Sequence, residues 1–124
     1  MRFLFTITIV LALTGCNDVV TTHYATLDEA KSQHAFEKGW LPPILPDSAR
    51  TIVERNDLDL NTGTGTFDYD MSERPAFEEK LSQAGAVLRA EQNADVLTVT
   101  TNGSRWEIWL PRRSGQAKWD MRQH

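Results

Sequence analysis

The sequence predicts an α+β domain with a small antiparallel sheet of four to five strands and two helices packed on one side. The sheet is indicated by Asn102-Gly103, the pair preferred in type I′ turns, which separates two runs rich in β-branched and aromatic residues. The helices are indicated by two segments in which capping residues precede apolar residues at helical spacing. The order helix, connector, strands, helix, strands gives this architecture.

Length and composition confine the chain to one domain. Its 124 residues are 40% hydrophobic and 24% charged, values of an ordinary globular protein. The net charge of −4 excludes the basic footprint of a nucleic-acid-binding protein. The single cysteine excludes a disulfide framework and a metal site built on several thiolates. We therefore expect neither a nucleic acid partner nor a cofactor.

The first sixteen residues carry a targeting signal. A positive start, Met1-Arg2, precedes an apolar run from Phe3 to Leu13, and these roughly eleven residues are too few to span a bilayer as a helix. The run ends in Leu13-Thr14-Gly15-Cys16, which resembles the lipobox of bacterial lipoprotein precursors. The resemblance implies a diacylglycerol thioether on Cys16, cleavage before it and acylation of the new amino terminus.

Cleavage before Cys16 would divide the chain into three parts. Residues 1–15 are predicted to be the signal peptide, residues 16–22 a lipidated, flexible tether, and residues 23–124 a single globular domain. The acidic domain is expected to stand off the membrane surface, because only the acyl chains bind lipid. We expect the domain on the periplasmic side of the inner or outer membrane. An acidic residue directly after the lipidated cysteine would favour the inner membrane. Asp18 lies one position later, so the sequence leaves the choice of membrane open.

The predicted elements follow in order. A capping box at Thr26–Glu29 starts a helix that is expected to run to about Lys38 and stop at Gly39. Three prolines between residues 42 and 46 predict an extended connector pressed onto the domain. Strands are predicted at 50–55, 66–69 and 86–88, and a second helix is expected to end at Gly85. That helix would bury three residues on one face, namely Phe77, Leu81 and Ala84.

The hairpin around Asn102-Gly103 raises a question about Trp109. A two-residue loop places Val96 opposite Trp109. The other residues expected on that face are polar and solvated, namely Thr98, Thr100, Arg105 and Glu107. An apolar pair there needs a cover, and Trp119 and Met121 of the tail are expected to fold back across the strands to supply it. If the tail leaves the pair exposed, Trp109 and Val96 become the best candidates for a partner contact.

An acidic loop offers a weak metal site. The spacing of Asp57, Asp59 and Asn61 is similar to that of a calcium loop, but Thr62 stands where such a loop needs glycine, and strands flank it. A turn rich in Asp, Asn and Gly needs no ion. We therefore predict a plain turn and keep calcium binding as the alternative.

One stretch carries a family resemblance. The run Gly39-Trp40-Leu41-Pro42 … Leu45-Pro46-Asp47-Ser48-Ala49 … Ile52 … Asp57-Leu58-Asp59-Leu60-Asn61 … Phe67 resembles small bacterial lipoproteins of unknown function, the YbbD head-domain-like proteins. The resemblance spans Trp40 to Phe67 and implies one compact extracytoplasmic domain. It carries no established catalytic residues.

No arrangement of residues predicts catalysis. His23, His34 and His124 lie far apart in the sequence, and no serine stands in a nucleophile motif. We therefore expect a protein that is not an enzyme but a protein-binding module of the cell envelope, of the inhibitor, immunity or assembly type. A calcium-dependent envelope domain that uses Asp57, Asp59 and Asn61 is the alternative.

Overall fold

Strands are the predominant secondary structure of the described residues. The computed structural model describes residues 18–123, so the predicted signal peptide, Cys16 and His124 lie outside the described residues. Two helices are α1 (Leu27–Ser32) and α2 (Arg74–Gln83), the second preceded by a 3₁₀ turn at Met71–Glu73. The strands are β1 (Val19–Thr26), β2 (Arg50–Asp57), β3 (Thr62–Asp68), β4 (Val87–Ala90), β5 (Ala94–Thr101), β6 (Ser104–Pro111) and β7 (Gln116–Gln123).

The predicted α+β class, with four to five strands and two packed helices, is wrong. The seven strands form one antiparallel sheet in the order β1-β2-β3-β7-β6-β5-β4, and the two helices are short. The miscount arises at the two ends of the described chain, because residues 19–22, expected in a flexible tether, begin β1, and the expected tail forms β7.

Strand β7 joins the two halves of the sheet. It pairs with β3 on one side and with β6 on the other. Its side chains alternate strictly, with Ala117, Trp119 and Met121 buried between exposed or partly exposed neighbours. This alternation of period two is the property that makes a strand bury one face.

The structure confirms the register that was predicted for the hairpin of β5 and β6. Val99 lies opposite Trp106 and Leu97 opposite Ile108. The backbone φ angles of Asn102 and Gly103 are 46° and 82°, the positive values that a type I′ turn requires at both central residues. The turn residues and the alternation thus specify the same pairing.

The sheet has one covered and one open face. The covered face carries the core, built mainly by Ile52, Phe67, Leu97, Ile108 and Trp119, and Phe77 and Leu81 of α2 belong to the same core. The opposite side, here called the open face, is polar along most strands. Exposed examples are Arg55, Thr64, Thr66, Arg105, Lys118 and Arg122.

The helix α1 begins as predicted and ends early. The hydroxyl of Thr26 accepts a hydrogen bond from the amide of Glu29 at 3.2 Å, and the Glu29 carboxylate accepts one from the amide of Ala25 at 2.8 Å. The helix ends at Ser32 rather than near Lys38, because His34 adopts a positive φ of 58°, which a right-handed helix excludes. The proline-containing connector that follows is pressed onto the core through Leu41 and three neighbouring residues, Pro42, Leu45 and Pro46.

Helix α2 is fixed to the sheet by a half-buried ion network. The guanidinium of Arg74 donates hydrogen bonds to Asp95 at 2.8 Å, to Glu78 at 3.0 Å and to the carbonyl of Pro111 at 2.7 Å. The helix buries Phe77 and Leu81, whereas Ala84, expected on the same face, is exposed. Within residues 18–123, neither helix has the length and apolar character needed to cross a membrane.

Candidate functional site

The register places Trp109 and Val96 opposite each other on the open face, as predicted. Val96 has no exposed surface, whereas Trp109 is only partly buried. The ammonium of Lys118, directly opposite Trp109 on β7, lies 5.0 Å from the centre of the Trp109 ring. At this distance a cation is attracted to the face of an indole. Trp109 is thus the exposed member of the pair, with a lysine on one side of its ring, whereas the buried Val96 offers no surface to a partner.

The prediction that Trp119 and Met121 cover the Val96–Trp109 pair is wrong. Both residues lie in β7 at positions that face the core. Within a strand they cannot share a face with Lys118, which lies between Trp119 and Ala117 in sequence. The tail therefore contributes Lys118 to the Trp109 site.

Four charged residues on β6 and β7 lie next to Trp109 on the open face, namely Arg105, Glu107, Asp120 and Arg122. Like charges lie directly opposite each other, with Arg105 paired to Arg122 and Glu107 paired to Asp120. Such pairs are unfavourable across strands. The guanidinium of Arg105 lies 3.2 Å from Glu107 on its own strand, and the four side chains line a depression of about 220 Å³. We call these four residues the charged quartet.

Sequence reasoning missed the charged quartet because it left β7 out of the sheet. Arg105 and Glu107 were expected on the solvated side of the hairpin, but Asp120 and Arg122 had no assigned partner strand. The alternation of Lys118, Asp120 and Arg122 with apolar residues is the signal from which β7 is recognisable.

The acidic loop closes on itself. One carboxylate oxygen of Asp57 accepts hydrogen bonds from the amides of Asp59 and Leu60, both at 3.1 Å. A hydrogen bond with Asp18 and the negative charge of that residue raise the pKa of Asp59. Asn61 has a positive φ of 52°, which asparagine tolerates in turns. Among residues 18–123, no three His, Cys, Asp or Glu side chains converge as metal ligands would.

Two polar residues are buried on the covered face of β2. Glu54 has no exposed surface, and one of its oxygens accepts a hydrogen bond from the hydroxyl of Tyr24 at 2.7 Å. Burial raises the pKa of Glu54, against the opposing effect of the Tyr24 hydrogen bond. Asn56, 3% exposed, has no hydrogen-bonding partner in the described part of the chain for either atom of its amide. Its side chain lines a depression of about 470 Å³.

The remaining predicted residues are not brought together. His23 lies on β1 and His34 follows α1, and both are exposed. Cys16 and His124 lie outside the described residues. The structure therefore joins Trp109 and Val96 with Lys118 and the charged quartet, and it adds no histidine to them.

Comparisons with known proteins give two matches. Residues 18–68 match the YbbD head domain, and residues 2–17 match the prokaryotic membrane lipoprotein lipid attachment site. No curated protein and no solved structure matches the chain. The first match runs from β1 to β3 and includes the stretch from Trp40 to Phe67, so the resemblance is confirmed. The second includes Cys16 and supports a membrane-anchored location in the envelope. The two matches thus indicate a lipoprotein attachment site followed by a segment that is similar to the YbbD head domain.

Proposed function

We propose that the chain is a non-catalytic protein-binding module of the bacterial cell envelope, held at the membrane by lipid on Cys16. Its partner is a protein that docks on the open face, with Trp109 as the anchor. The observation that carries this proposal is the partly exposed Trp109 on an otherwise polar sheet face. Tryptophan is enriched among the residues that dominate binding energy at protein interfaces.

The surroundings of Trp109 support a protein partner. Binding sites commonly combine an apolar anchor with a polar rim, and here Val96 lies against the anchor while the charged quartet forms one side of the rim. Because Arg105 faces Arg122 and Glu107 faces Asp120, each like-charged pair gains from an opposite charge on a partner. The rim therefore favours a partner with both acidic and basic side chains over a uniformly charged polymer.

The location of the module is part of the proposal. A lipid attachment site supports anchoring in the envelope, and we place the domain on the periplasmic side of the inner or outer membrane. For this anchored module we propose a role of the inhibitor, immunity or assembly type. The calcium alternative gains no support from the loop, because the Asp57 carboxylate already accepts two amides of its own turn.

The proposal is tested by affinity capture from solubilised envelopes with the full-length protein as bait. Trp109→Ala should reduce capture of the partner by about 30-fold or more, since truncating a central anchor costs about 2 kcal/mol or more. The same change should lower the free energy of unfolding by only about 1–2 kcal/mol, because the side chain is partly buried. Leu88→Ala is the matched control, since Leu88 is an exposed apolar residue on the edge strand β4.

The two variants separate binding from folding. If Trp109→Ala and Leu88→Ala capture every envelope protein as well as the unmodified protein does, Trp109 is not a binding anchor. Thermal unfolding of each variant shows whether a loss of capture reflects a loss of folded protein.

A further inference from the structure

The turn between β2 and β3 exposes two leucines. Leu58 is 47% and Leu60 is 70% exposed, which makes Leu60 the most exposed large apolar residue in the described chain. The two hydrogen bonds that the Asp57 carboxylate accepts fix this turn. The leucines therefore form an exposed apolar pair on an ordered turn.

The same turn contacts Asp18, which follows the predicted lipid attachment point by two residues. The amide of Leu58 donates a hydrogen bond to the carbonyl of Asp18 at 2.9 Å, and Val19 pairs with Asp57. Cys16 precedes Asp18 by two residues, which span at most about 7 Å when fully extended. A lipid on Cys16 therefore begins within a short distance of Leu58. A flexible tether reaching to residue 22, as predicted from the sequence, would have left the domain farther from the lipid, but β1 already begins at Val19.

A tryptophan and a lysine accompany the leucines at this end of the sheet. Trp40 is partly buried, and the ammonium of Lys38 lies 5.2 Å from the centre of its ring. Both residues line the 470 Å³ depression together with Leu58. Tryptophan is enriched at membrane–water interfaces, and lysine there keeps its ammonium in water while its stem covers apolar surface.

Charges of both signs lie at this end of the sheet. Asp57 and Asp59 flank Leu58 in the sequence, and Glu37 and Lys38 line the depression. Arg122 pairs with Thr62 at the end of β3, and the exposed Arg55 lies two residues before Asp57 on β2. Because carboxylates and cations are mixed here, headgroup charge does not select a lipid, and the exposed leucines supply the contact.

We propose that the β2–β3 turn docks onto the bilayer that holds the lipid anchor, with Leu58 and Leu60 inserted at its interface. This replaces the expectation that only the acyl chains bind lipid. The proposal rests on lipidation of Cys16 and does not depend on a protein partner at Trp109. It fixes the orientation of the domain, with the strands rising from the membrane. Trp109 lies level with Thr66, four residues along β3 from Thr62, so it stands about 13 Å beyond the docking end.

The test uses the acylated full-length protein in phosphatidylcholine vesicles that contain nitroxide-labelled lipid. Because Cys16 is the one cysteine of the chain and its sulfur is occupied by lipid, a second cysteine can be labelled uniquely with an environment-sensitive fluorophore. Leu60→Cys carries the label in one sample. Leu88→Cys is the matched control, an exposed leucine on β4 at the far edge of the sheet. Intact mass confirms acylation, and circular dichroism confirms folding.

We expect the emission at residue 60 to shift to shorter wavelength and to be quenched by the nitroxide, while the label at residue 88 behaves as it does in water. Equal, water-like emission at the two positions in acylated protein would overturn the proposal. Equal quenching at both positions would overturn it as well, because the domain would then lie on its side. Neither result bears on the Trp109 site, since no partner protein is in the sample.

Discussion

Glu54 and Asn56 occupy positions on β2 where the period of the strand favours apolar residues. Ile52, two residues earlier, is fully buried on the same face. A polar residue in such a position could not be recognised as buried from the sequence, because strand alternation alone assigns polar side chains to the solvated side. The burial of Glu54 and Asn56 is therefore a property of single residues that the sequence pattern does not predict.

The buried Glu54 predicts a specific dependence of stability on pH. Its raised pKa means that the folded protein keeps the proton to higher pH than the unfolded chain, whose glutamate has the ordinary value of 4.5. Stability falls with rising pH wherever the folded state binds more protons. The contribution of Glu54 should therefore decline as pH rises from 4.5 through the raised pKa and stay constant above it.

The variant Glu54→Gln should abolish this decline. At neutral pH it should be more stable than the unmodified protein, because burial disfavours the charged carboxylate of Glu54 and the neutral amide removes that charge. Chemical denaturation of both proteins, below the ordinary pKa of glutamate and at neutral pH, measures the difference. Glu79→Gln, at an exposed position of α2, is the control. If the two variants share one pH profile, Glu54 is not buried as described.

Among the elements, local signals were predictable and distant pairings were not. The β5–β6 hairpin needed only its turn residues and the alternation on either side, so its register was confirmed pair by pair. The capping box at Thr26 was confirmed for the same reason. By contrast, β7 pairs with β3, about fifty residues earlier, and no turn residue connects the two strands. Such pairings depend on tertiary packing, which a local period does not encode.

The candidate site also combines a local contact that was predictable with distant contacts that were not. The opposition of Val96 and Trp109 lies within one hairpin and was predictable from the sequence. Lys118 and half of the charged quartet reach the site through β7, so they were not. Gly65 shows how specific that pairing is, because a Cβ at this position would collide with the ring of Trp119 on β7. A glycine under an aromatic residue is a contact between strands that a sequence does not reveal.

Removing β7 should unfold the protein. Deletion of residues 115–124 removes Trp119 and Met121 from the core and leaves β3 and β6 unpaired on their facing sides. Truncating one buried tryptophan costs about 3–5 kcal/mol, a large part of the 5–15 kcal/mol that stabilises a typical domain. We expect the truncated protein to show no cooperative thermal transition.

A shorter truncation provides the control. Deletion of residues 123 and 124 leaves the buried residues of β7 in place and should keep a transition close to that of the full chain. A cooperative transition at an unchanged temperature in the longer truncation would contradict the central position of β7.

On the scale of the whole molecule, the two proposals concern separate parts of the sheet. The β2–β3 turn, which we propose docks on the membrane, lies at one end, and Trp109 lies farther along the strands on the open face. A sheet that stood on the membrane through that end would keep its open face accessible to the proposed protein partner.

The most direct test of the partner face is photo-crosslinking in intact cells that make the lipidated protein. A photoreactive amino acid replaces Thr66, which is exposed on the open face directly opposite Lys118, and in a control it replaces Ser82, which is exposed on α2. We predict a defined crosslinked protein from position 66, its loss when Trp109→Ala is added, and no such product from position 82. Crosslinking from position 82 alone, or crosslinking from position 66 that persists undiminished in Trp109→Ala, would contradict the account.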